Sequence, residues 1–169
     1  FGTVGFDYGK AIIETYDHGF LIGGNSKYQG GGNLNCDEHH GDSDAVLIKL
    51  DSLGNMEWQQ CYGGSRSESF TRIAEFEEGY ILTGYTNSDD GDVTGWHPGY
   101  DHLDNPLSYI WVARIDPEGN LLWQKCLGGS EAEGFANIRL TESGDIMIIG
   151  VTQSNDGDVS GNHTINPNN

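Results

Sequence analysis

The chain writes GNMEWQQCYGGS at residues 54–65 and GNLLWQKCLGGS at residues 119–130, with eight of the twelve positions identical. A repeat with fixed Trp, Cys and double-Gly positions constrains a fold more than composition does, because each copy must bury itself against its neighbours. Three copies are legible: 1–62, 63–127 and a partial third at 128–169. The step is 65 residues from Trp58 to Trp123 and again from Gly79 to Gly144.

Each copy breaks into short runs bounded by Gly, Asn and Asp. FLIGGNS, YILTGYT and DIMIIGVT are apolar runs with a Gly near their ends. DAVLIKLD and YIWVARID place Val46, Ile48 and Leu50, or Trp111, Ala113 and Ile115, on one face. Runs of about 5–8 residues rich in branched and aromatic side chains predict strands. No stretch holds the 3.6-residue period that a helix needs. The sequence therefore predicts an all-β fold of four-stranded units of roughly 60–65 residues, the form of a β-propeller blade. In such an array Trp58 and Trp123 fill equivalent gaps between blades, and the double Gly permits a sharp turn. Gly24, Gly84 and Gly150 are expected nearest the central axis, where strands converge.

GGSxxE, a hydrophobic-Gly-x-Thr strand, SNDGDVSGNH, DAxxxKLD and GNxxWQKCxGGS together resemble the bacterial β-propeller repeat (SBBP-like) family of predicted secreted and surface proteins from Bacteroidetes-type bacteria. The resemblance covers nearly the whole chain. It implies a propeller on an exported protein, secreted or held at the cell surface. The first copy departs from it at 27–41, where KYQGGGNLNCDEHHG stands, and the second carries an insertion at about 100–107. The third copy stops after two strands, which would leave raw sheet edges. A partial propeller is expected, completed by the remainder of a longer chain in preference to identical chains completing one another.

Eight Lys and Arg stand against 26 Asp and Glu, a net charge of −18. That surface repels phosphate backbones, so nucleic acid is excluded as a partner. No apolar run approaches the roughly 18 residues of a membrane span, so no membrane insertion is expected. Cys61 and Cys126 occupy the same place in successive copies, too far apart to bridge one another, and both are read as small buried hydrophobes.

NSDDGDVTGWH (87–97) recurs as QSNDGDVSGNH (153–163). Such residues build turns, and they also supply the oxygens that calcium takes. Asp90, Asp92, Asp156 and Asp158 are the candidate ligands, but His97 and His163 replace the bidentate Glu of a calcium loop, which favours the turn. CDEHHGD (36–42) reads as a polar loop insertion, since adjacent His residues on extended chain point apart. No catalytic motif is present, and the GGS serines recur as turn residues. No enzyme activity and no cofactor are expected, with calcium the single ion the loops suggest. Trp96, Tyr100 and Tyr109 are candidates for stacking on a ligand such as a sugar ring. The expected function is a non-enzymatic interaction module for adhesion or assembly through the loop face. The alternative is a glycan-binding, lectin-like propeller or the non-catalytic part of a glycan-active enzyme.

Overall fold

The computed structural model describes residues 1–27, 31–35, 40–76, 79–95, 99–100, 103 and 105–161. Ten strands carry the fold: β1 (Phe6–Glu14), β2 (Phe20–Lys27), β3 (Asp44–Leu50), β4 (Met56–Tyr62), β5 (Glu68–Glu75), β6 (Tyr80–Thr86), β7 (Tyr109–Ile115), β8 (Leu121–Leu127), β9 (Glu133–Leu140) and β10 (Ile146–Thr152). They form three antiparallel sheets, β1-β2-β3-β4, β5-β6-β7-β8 and β9-β10. The protein is all-β, with no helix among the described residues and hence none to cross a membrane.

Consecutive strands pair as simple meanders because their connections are tight polar turns. Asp51 and Asp116 each accept backbone N–H groups from the turn they begin, including Asn55 at 2.8 Å and Asn120 at 2.7 Å. The two four-stranded sheets share their irregularities. Register shifts fall at Gly9/Ala11 and Phe70/Arg72 between first and second strands, and at Lys49/Leu50 and Arg114/Ile115 between third and fourth.

The sheets stack face to face, and the middle strands are buried on both sides. β3 is buried along its full length, which explains why DAVLIKL lacks the polar alternation of a half-solvated strand. Between the first and second sheets lie Leu21, Leu47 and Tyr62 against Leu82, Trp111 and Ile115. Trp111 stacks on Phe70 with ring centroids 4.9 Å apart. Between the second and third sheets lie Ile81, Ile110 and Val112 against Ala136 and Ile138. The expected gap-filling role of Trp58 is met through packing on the first of these cores and an indole N–H donated to Pro117 O at 3.0 Å.

The expected reason for Gly24 and Gly84 needs correction. The first strands, β1, β5 and β9, approach one another, and these glycines sit on the adjoining second strands, Gly84 beside the space between the first strands. A Cβ on Gly24 would strike the Tyr8 carbonyl, and one on Gly84 the Ser69 carbonyl. Both carbonyls lie beside the bulges of the first strands, so the local bulge imposes the glycine.

Candidate functional site

The repeated acidic loops tie the sheets together. Asp90 Oδ1 accepts the Ser65 N–H at 2.6 Å, Asp92 Oδ2 accepts the Gly63 N–H at 3.0 Å, and Ser88 Oγ accepts the Arg66 N–H at 2.9 Å. The third copy repeats the clamp, with Asp156 Oδ1 on the Ser130 N–H at 2.8 Å and Ser154 Oγ on the Glu131 N–H at 2.9 Å. Asp158 receives Lys125 Nζ at 3.2 Å. The backbone hydrogen bond from Ser65 is the main cause that holds the Asp90 carboxyl below the usual carboxylate range. Gly64 and Gly129 are required here by close approach, since a Cβ at either would meet Asp90 or Asp156. The four aspartates fall into two separate knots. Among the described residues no group of three or more His, Cys, Asp or Glu side chains is placed to hold a metal ion.

Two acids that composition could not single out sit at the centre of these clamps. Glu68 is fully buried and accepts from Thr86 Oγ1 at 2.8 Å and from the Gly64 N–H at 2.9 Å. Burial outweighs those bonds and raises its pKa above the ordinary Glu value. Glu133 holds the same place, with Thr152 Oγ1 at 3.0 Å. The signal was in GGSxxE, where the acid follows each double-Gly turn at a fixed interval.

The aromatic candidates separate. Trp96 lies outside the described residues. Tyr100 is 52% exposed and bridges to Pro106 across a loop that the Leu107 N–H to Gly99 O bond also closes, at 3.1 Å. Leu103, on the same loop, is 68% exposed. Tyr109 is not a surface residue. It is fully buried at the start of β7, where burial pushes its hydroxyl pKa up to about 12, so its ring belongs to the core. Its alternation with Trp111 and Ala113 marks the strand pattern that put it there.

Where the first strands approach, a cavity of about 600 Å³ opens, lined among others by Lys10, Thr71, Arg72, Tyr85, Ala136 and Asn137. Lys10 and Thr71 are the extra residues of the bulges in β1 and β5, and Ala136 lies in the bulge of β9. Bulges re-aim side chains, and here three of them converge on one space. Lys10 Nζ lies 3.2 Å from the Tyr85 hydroxyl and 4.8 Å from the centre of its ring. Sequence reading missed this constellation because Gly24 and Gly84 mark the strand opposite each bulge, while which side chains the bulges re-aim is set by pairing register.

The cysteines also part company. Cys126 is free and buried, as its apolar setting predicts. Cys61 is in a disulfide, so its reading as a simple buried hydrophobe is corrected; its partner lies outside the described residues. Of the CDEHHGD cluster, Cys36 to His39 also lie outside them, and His40 donates its backbone N–H to the fully buried Asp44 at 2.9 Å. No protein-family model matches the chain, and no curated protein matches it.

Proposed function

We propose that this chain is part of a β-propeller and acts as a non-enzymatic interaction module of an exported or surface-attached bacterial protein. Sheets stacked face to face, with their first strands approaching around one cavity, support the propeller. A disulfide at Cys61 supports export, because disulfides persist in oxidising compartments. The observation that carries the interaction role is the exposure of Tyr100 and Leu103, on a stretch whose ends are joined by the Leu107 N–H to Gly99 O bond. Exposed apolar side chains held close together are what partner surfaces present.

A peptide and glycan array screened with the unaltered protein and with Tyr100→Ala and Leu103→Ala tests this function. Binding of one ligand class that both substitutions weaken at least tenfold is expected. A ligand held equally well by all three proteins overturns the loop as the binding surface. A second location is favoured by the Lys10–Tyr85 pair in the central cavity, where an aromatic face beside a cation suits a sugar bearing an acidic group. Array binding lost in Tyr85→Ala and kept in Tyr100→Ala selects that lectin-like function.

A further inference from the structure

The two outward faces of the stack are unlike. On the third sheet, Met147, Ile149 and Val151 of β10 are 59%, 74% and 57% exposed. Pairing register makes Leu21 of β2 and Ile81 of β6 the equivalents of Met147, and both are fully buried because a following sheet covers them.

The opposite end of the stack is covered. On the outward face of the first sheet, Val46, Ile48 and Leu50 pack with Leu34, which is only 4% exposed. Leu34 comes from the stretch that departs from the repeat. Asn33 and Leu34 donate their backbone N–H groups to Gly2 O at 3.1 and 3.2 Å, and the Gly2 N–H returns to Asn33 Oδ1 at 3.0 Å. Cys61 packs at this face too, and is held in its disulfide. The cover does not reach Ile12, which stays exposed.

We propose that residues 31–35 cap the first sheet, and that the bare face of the third sheet docks a further sheet of this repeat's own kind whose matching face is uncapped. The contacts inside the chain say which faces fit. The side of one sheet that carries Leu21 and Leu47 meets the side of the next that carries Leu82, Trp111 and Ile115. A second copy placed head to tail would set Met147, Ile149 and Val151 against Val46, Ile48 and Leu50, a contact of the same type. Such a heterologous contact extends head to tail, into a ring where the rotation closes and into a filament where it does not. The Leu34 cap occupies the receiving face and forbids it. Terminal capping of this sort is what an array of stacked units needs to stay soluble. The inference rests on the stacking of sheets, not on ring closure or on the loop ligand, so a failed array leaves it standing.

Sedimentation of the unaltered protein beside Leu34→Ser and Gly32→Val tests it. Gly32 has φ +82°, and a side chain there would strike the Gly2 carbonyl, so Gly32→Val lifts the cap without altering the core. The unaltered protein is expected to sediment as a monomer, and both cap variants as head-to-tail oligomers. Adding Ile149→Lys to either should restore the monomer. Gly32→Val with Ile149→Lys, which has an open first sheet and a blocked third, should form a one-to-one heterodimer with the unaltered protein. Cap variants that keep the β-sheet circular dichroism signal yet stay monomeric overturn the proposal. So do oligomers indifferent to Ile149→Lys, filaments of the unaltered protein, or a folded double variant that forms no heterodimer.

Discussion

At the scale of single residues, charge decides more than its sign suggests, because the acids here act through geometry. Asp90 spends one oxygen on the Ser65 N–H. Asp90→Ala should therefore cost about 1 kcal/mol, the net worth of one hydrogen bond, seen as a drop of a few degrees in Tm. Chelation by EGTA should leave the Tm of the unaltered protein unchanged; a fall would mean that a cation shares the clamp. Lys49, almost wholly buried, is gripped by Asp17 Oδ2 at 2.7 Å and Glu57 Oε2 at 2.9 Å. Burial pulls its pKa down, but the hydrogen bonds to those two carboxylates more than reverse that, and it ends raised. The hydrogen bond from Lys49 first, then that from Thr15, hold the Asp17 carboxyl far below the usual range. A depressed carboxylate pKa gives stability that is present at neutral pH and lost as the pH falls toward the folded value. Asp17→Asn should lower Tm at neutral pH, with the gap to the unaltered protein narrowing below about pH 5. Glu68 has the opposite sign, since burial raises its pKa. Its contribution is present in acid and lost as the pH rises through the raised value, and because both proteins carry Glu68 it cancels from the gap between them.

At the scale of elements, the second sheet is the keystone, with a sheet on each side of its middle strands and Trp111 at its centre. That indole is fully buried, stacks on Phe70 and donates to Gln124 Oε1 at 2.9 Å. Trp111→Ala should cost about 3–5 kcal/mol in denaturant unfolding, since the second sheet has no slack to collapse. Trp58 and Trp123 look the same in the repeat but should respond differently. Trp58→Phe loses a hydrogen bond to Pro117 and should cost about 1 kcal/mol. Trp123→Phe, on an exposed ring, should be near neutral. Equal costs for the two would show that Trp123 is covered in solution. β10 makes the same distinction at strand level: its sequence is as apolar as β6, yet only one of its faces has a sheet to meet.

At the scale of the whole molecule, the fold is a stack with polarity, one end covered by its own chain and the other bare. Covalent closure contributes at the covered end through Cys61. Reductant should lower Tm and should release the Leu34 segment first, read as faster amide hydrogen exchange at 31–35 than at β7. Equal exchange before and after reduction would show that the Gly2 contacts alone seat the cap.

The sequence by itself determined the strand content, the meander within each unit and the spacing of the units, because these follow from short-range side-chain alternation and turn chemistry around Asp51 and Asp116. It also determined that an acidic loop recurs, and GGSxxE already carried the buried acid. Tertiary structure alone decided what each repeated residue faces. Tyr109 became core, Cys61 and Cys126 diverged in chemistry, and Leu34 became a cover for the first sheet. The physical reason is that burial depends on whether a neighbouring sheet is present, and a repeat writes the same letters whether its neighbour is there or not.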